Sequence, residues 1–147
     1  MNSPTPTETT ARPPYQANHE YLLLIRGTHW DQGLSAEEMQ RIMGEFNAWI
    51  DDLTRRGVHR AAQPLLDEGK IVAGAHGSSV TDGAFAESKE AIGGYFLLAV
   101  PDIDEAVRLA QACPILAYGA QIEVRPAAAI CRMQAYVNAL EHEPVPA

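Results

Sequence analysis

The chain has 147 residues, of which 46% are hydrophobic and 20% charged, and a formal net charge of −8 at pH 7. That is enough chain for one domain with its own core. The acidic balance repels phosphate backbones and argues against nucleic-acid partners, and no apolar run is long enough for a membrane span. The two cysteines, Cys113 and Cys131, lack the CxxC spacing of a zinc or redox motif and read as small apolar residues.

The first segment, residues 1–19, is rich in Pro, Thr and other polar residues. It buries too little to offset its ordering entropy and is expected to be a disordered tail. It holds no apolar stretch that would serve as a secretory signal, so the cytoplasm is the expected location. The folded domain is expected over residues 20–127, opening with the buried strand Tyr21-Leu22-Leu23-Leu24-Ile25. A loop with His29, Trp30 and Asp31 follows. Ser35-Ala36-Glu37-Glu38 is a capping box. Met39, Ile42, Met43, Phe46, Trp49, Ile50 and Leu53 then recur at helical spacing on one face, and Gly57 supplies a left-handed stop.

Short pieces come next. Gln63-Pro64-Leu65 reads as extended and Asp67-Glu68-Gly69 as a turn. Lys70–Ala73 and Ser78–Thr81 read as the two strands of a hairpin joined by the turn Gly74–Gly77. Gly93-Gly94 leads into the apolar strand Tyr95–Val100. A second helix starts at Asp102, a cap with Glu105 three residues on, with Ile103, Ala106, Val107 and Ala110 as its inner face and Pro114 as its end. Gln121–Arg125 alternates as a half-exposed strand. Residues 128–147 carry a short amphipathic helix marked by Ile130, Met133, Val137 and Leu140.

The order strand, helix, strand with a hairpin extension, strand, helix, strand is the ferredoxin-like βαββαβ pattern of an α+β domain. It predicts an antiparallel four-stranded sheet with both helices on one face. A symmetric copy is the commonest cover for the other face, so a homodimer with sheet-to-sheet contact is expected.

Val80-Thr81-Asp82-Gly83-Ala84-Phe85-Ala86-Glu87-Ser88-Lys89-Glu90, followed by Gly93-Gly94-Tyr95-Phe96-Leu97, resembles the signature of the YCII-related, DGPF-domain proteins. The opening Tyr21–Ile25, Gly69-Lys70-Ile71-Val72, Asp104-Glu105-Ala106, Cys113-Pro114 and Val124-Arg125-Pro126 extend the likeness across about Glu20 to Pro126. The usual Pro of the motif is Ala84 here, which removes a residue that stiffens the turn. The resemblance implies a dimeric α+β barrel of ferredoxin-like units. It also implies that relatives in the wider group act as small-molecule enzymes pairing a His with an Asp, and that some members are linked to alternative sigma factors.

Asp82 has two readings: a carboxylate at a strand end that serves as general base or orients a histidine, or a turn residue bonded to its own backbone beside Gly83. His29, after the first strand, and His76, in the hairpin turn, are the histidines that could pair with it. Glu87, Lys89 and Glu90 sit at the motif's positions, and Glu87 and Lys89 are the candidate contacts for a polar ligand; the other reading is a solvated loop. Tyr95 could present its hydroxyl to the same pocket or pack as core. His19 and His142 flank the fold and are expected to be exposed. There is no HxxxH or Cys/His cluster, no GxGxxG or P-loop and no nucleophile elbow, so no metal or cofactor is expected. Two functions remain open at this point: a small-molecule enzyme using His–Asp acid–base chemistry, or a non-catalytic dimeric ligand-binding or regulatory module.

Overall fold

The computed structural model describes residues 17–83 and 91–141. The elements are β1 (Ala17–Arg26), α1 (Ala36–Arg55), β2 (His59–Pro64), β3 (Lys70–Ala73), β4 (Ser79–Asp82), β5 (Ile92–Ala99), α2 (Ile103–Gln111), β6 (Gln121–Ala128) and α3 (Arg132–Glu141), with short 3-10 turns at Ala75–Gly77 and Pro114–Tyr118. Strands β2-β5-β1-β6 form one antiparallel sheet in that order, and β3 and β4 form a separate hairpin. This is the ferredoxin-like α+β arrangement the pattern predicts.

The strong alternation of β1 sets the layers. Tyr21, Leu23 and Ile25 are buried, whereas Leu22 and Leu24 on the opposite face are half-buried. On the neighbouring central strand Phe96 lies opposite Leu23 and Leu98 opposite Tyr21, so all four share the covered face. Helix α1 brings Ile42, Trp49 and Leu53 onto it, and α2 brings Ala106, Leu109 and Ala110. Trp49 meets Phe96 edge-on with ring centroids 5.1 Å apart, and its indole N–H donates to the Leu109 carbonyl at 2.9 Å.

The helix ends follow their sequence signals. Ser35 Oγ accepts the Glu38 N–H at 3.1 Å and Glu38 Oε1 accepts the Ser35 N–H at 2.8 Å. These bonds hold the Glu38 carboxyl below its ordinary range. Gly57 takes a positive φ of 75° just past the α1 cap. The Asp102 carboxylate accepts the Glu105 N–H at 2.9 Å.

Three strand boundaries and the inner face of one helix differ most from the sequence reading. Strand β1 starts at Ala17 rather than Tyr21, through a bulge at which His19 has a φ of 65°. Strand β2 starts at His59, ahead of the expected Gln63, because pairing with β5 recruits residues with no apolar pattern of their own. Strand β5 takes in Gly93 and Gly94. A Cβ on Gly94 would meet the Gln63 carbonyl oxygen at 3.0 Å and Pro64 Cα at 3.2 Å, so glycine there lets β2 and β5 approach. Helix α2 turns its inner face to Ala106, Leu109 and Ala110, leaving Ile103 and Val107 exposed, because Leu109 is drawn under Trp49.

Helix α3 has no buried residue, and its Met133 and Tyr136 are 76% and 66% exposed. Among the described residues no helix is long and apolar enough to cross a membrane.

Two side chains give direct tests of the packing. The Cys113 thiol is buried, which pushes its pKa up to about 11, whereas Cys131 is exposed and its Sγ accepts the Gln134 N–H at 3.4 Å. At about pH 8, near the ordinary thiol range, an alkylating reagent labels Cys131 and leaves Cys113 untouched until the protein unfolds. Because folding raises the Cys113 pKa from 9.0 to about 11, its contribution to stability is complete below pH 9 and falls away as pH rises through that window. His59 packs its ring 6.0 Å from that of Phe96, and its buried Nε2 has no partner among the described residues. His59→Phe keeps the ring contact and removes the unpaired nitrogen, so urea unfolding is expected to show a gain of about 1 kcal/mol. A loss instead would mean that Nε2 is hydrogen-bonded in solution.

Candidate functional site

Three chain segments converge at one end of the sheet. Beyond β1 the backbone turns at Gly27, with a φ of 89°, and its N–H donates to the Ala91 carbonyl at 3.0 Å. Beyond β2 the Leu65 N–H donates to the Gly93 carbonyl at 2.9 Å, and the chain runs out through Leu66, Asp67 and Glu68 to Gly69. The Gly69 carbonyl accepts the Gly83 N–H at 2.8 Å, closing the base of the β3–β4 hairpin. A side chain is not tolerated freely at Gly83, where a Cβ would stand 3.3 Å from the Gly69 carbonyl carbon.

The space enclosed by these segments is a cleft of about 400 Å³ lined by Thr28, Leu65, Leu66, Asp67, Glu68, Gly69, Gly83, Ala91 and Ile92. Its walls are apolar at Leu65, Leu66 and Ile92. Its polar groups are the Thr28 hydroxyl, the Asp67 and Glu68 carboxylates and the glycine backbone. That mixture can seat the apolar body of a small molecule and fix its orientation by a few polar contacts. Among the described residues no group of three or more His, Cys, Asp or Glu side chains gathers as a metal site would require.

The candidate residues from the sequence do not gather in this cleft. Asp82 ends β4 next to Gly83, but its carboxylate is 80% exposed and pairs with Lys70 Nζ at 2.6 Å. Among the described residues its carboxylate bonds to no backbone amide and to no histidine. His76 occupies the turn at the other end of the hairpin, with a left-handed φ of 61°. The β3–β4 register runs from Lys70↔Asp82 to Ala73↔Ser79, so His76 stands more than ~10 Å of strand away from Asp82.

His29 lies in the loop after β1, beside Thr28 in the chain but not among the cleft's lining residues. Its Nδ1 is 2.5 Å from Gln32 Nε2, and its buried Nε2 has no partner among the described residues. With the amide donating to Nδ1, a neutral ring carries its proton on Nε2. Tyr95 faces away from the helices: it lies opposite Leu24 on β1 and Gln63 on β2, on the sheet's open side. Glu87 and Lys89, with Glu90, lie outside the described residues.

Two features escape the sequence reading. The loop Leu65–Gly69 reads as a plain turn but forms one wall of the cleft. Lys70, the partner of Asp82, is recoverable from the hairpin register, since the two are equidistant in sequence from His76.

No curated protein matches the chain. The model of the YCII-related domain matches residues 20–128, from within β1 to the end of β6. Because that match spans every strand of the sheet and both helices packed on it, the chain belongs to the YCII-related domain family.

Proposed function

We propose that this protein is a homodimeric small-molecule binding module whose ligand sits in the sheet-end cleft. The observation that carries the reading is the cleft itself: about 400 Å³, within the range of ~300–1,000 Å³ usual for ligand sites, with apolar walls and few polar groups. Asp67 and Glu68 at its rim favour a ligand with a basic group on an apolar body. By the family resemblance, Glu87 and Lys89 of the motif supply further polar contacts to it. The homodimer rests on the sheet face turned away from α1 and α2, where Leu22, Leu24, Tyr95 and Leu97 lie together and half-buried.

The alternative, acid–base chemistry by Asp82 and a histidine, is favoured by one observation. His29 holds a buried ring nitrogen with no partner among the described residues, an N–H free to meet a ligand's acceptor. Asp82, however, is held by Lys70 and has no histidine beside it in the same chain.

An NMR screen of small apolar amines against matched carboxylic acids separates the readings. Backbone shifts at Thr28, Leu65–Gly69, Gly83 and Ile92 are expected with amines. The exposed pair change Asp67→Asn with Glu68→Gln should weaken that binding about tenfold, the loss of roughly one charge-assisted contact. Asp82→Asn should leave both the binding and the Tm unchanged. Shifts centred on His29, or binding abolished by Asp82→Asn, would overturn the module in favour of the acid–base site.

A further inference from the structure

We propose that a second cavity, separate from the cleft, binds a compact neutral molecule of hydrocarbon character, about the size of one aromatic ring. It is a pocket of about 140 Å³ lined by Trp30, Met39, Ile42, Met43, Phe46 and Ile115. None of these residues lines the cleft. The wall is apolar almost throughout. A carboxylate or ammonium placed there would lose its water and meet no partner, and a water molecule would find almost nothing to bond. A hydrocarbon group avoids both penalties. Apolar cavities of roughly 150 Å³ in protein interiors hold benzene, so the volume fits a single ring.

Close packing removes most voids of this size from a protein interior; this one is framed by parts that resist collapse. Ile42 and Ile115 are buried members of the core. Phe46 is braced by the rings of Trp49 and Phe96, at 5.7 and 6.0 Å. The Pro114–Tyr118 turn that carries Ile115 is tied to α1, because the Tyr118 hydroxyl accepts Arg41 Nη2 at 3.2 Å. Trp30 lies in a turn closed by Gln32, whose N–H donates to the His29 carbonyl at 3.3 Å. The two methionines are the adaptable part. Met39 and Met43 are four residues apart on one face of α1, and unbranched thioether side chains re-pack around what they touch. Met43 is 54% exposed although the spacing of α1 predicts it in the core. A place at the mouth of the pocket accounts for that exposure.

The surroundings decide between a free molecule and a protein side chain. A protein interface sets its anchor pocket within further apolar surface. Here the residues beside Met43 on the helix surface, Gln40, Arg41, Gly44, Glu45 and Asn47, are exposed and offer no large apolar group. Among the described residues of α1, Met43 is the one large hydrophobic side chain that is exposed. A docking protein would gain one ring's worth of contact and little more, whereas a small molecule needs nothing beyond the pocket. The ligand class also differs from that of the cleft, whose rim carboxylates favour a basic group, so the two sites are tested apart.

The test is a methyl NMR titration of the full chain, labelled at its Met and Ile methyls, with benzene and with benzylamine and benzoate as charged counterparts. Benzene is expected to move the Met39, Met43, Ile42 and Ile115 methyls along saturating curves. The methyl of Met133, 76% exposed on α3, is expected to stay still. The charged counterparts should bind these four residues about tenfold more weakly or worse. Met43→Glu changes an exposed position, which an unchanged Tm verifies, and should weaken benzene by a similar factor; Met133→Glu should not. Shifts that grow linearly at every methyl, Met133 included, would mean plain partitioning and overturn the site. Equal binding of the three probes, or benzene binding indifferent to Met43→Glu in a folded variant, would overturn it as well. If the variant's Tm falls, the wild-type titration decides alone. Benzene shifts confined to Ile92 would place the probe in the cleft, overturning this pocket and leaving the cleft as a ligand site.

Discussion

The indole of Trp49 touches all three parts of the core. Its ring meets Phe96 of the central strand β5 edge-on and lies 5.7 Å from Phe46 on its own helix, and its N–H closes on the Leu109 carbonyl of α2. A buried indole N–H without an acceptor would be costly, and the Leu109 carbonyl, which also accepts the Ala112 N–H at 3.3 Å, supplies one. That bond satisfies the indole and ties α2 to α1 on the same side of the sheet. Once both helices lie on the Leu23 and Phe96 face, the Leu22 and Tyr95 face is turned away from them and stays half-buried. The open face follows from the way the covered one is closed.

How much of this is legible in the sequence depends on whether a segment carries its own pattern. Strand β1 has an unbroken apolar run, α1 has a reciprocal cap and a seven-residue apolar face, and Asp102 announces α2; these are local signals and the structure follows them, except that Met43 of the α1 face is exposed. Strand β2 has none. His59-Arg60-Ala61-Ala62 becomes a strand because β5 offers it a free edge, and Gly94 lets the two come close. The inner face of α2 lies roughly 60° around the helix from the face its sequence pattern predicts, at 3.6 residues per turn. Leu109 competes with Ile103 and Val107 for burial, and the Trp49 bond decides between them. Tertiary partners outweigh local preference in both cases.

The site is harder still to read. Asp82, Glu87 and Lys89 are neighbours in the motif, and sequence proximity invites a shared pocket. The hairpin pleat breaks that expectation at Asp82, whose neighbour is Lys70 across the ladder. His76 is brought into the turn but to the far end of the hairpin, and Tyr95, next to the glycines that flank the cleft, is turned by strand alternation to the opposite sheet face. What the sequence does encode is the cleft's framework. Gly69, Gly83, Gly93 and Gly94 stand where backbone meets backbone, and at Gly83 and Gly94 a Cβ would press on its neighbour.

These positions give the Asp82-Gly83 step a mechanical meaning. Asp82 joins Lys70 across the ladder, and Gly83 joins Gly69 one residue further down, so two consecutive residues clasp the hairpin at its root by a charge pair and a backbone bond. The charge pair alone is exposed and adds little to stability. Its position matters more than its strength. It sits where the hairpin meets the cleft, it neutralises the face that bears Val72 and Val80, and it leaves Gly83 free to line the cavity. A motif step placed at that junction shapes the cleft wall through the register of the hairpin, and that role does not require Asp82 to move a proton.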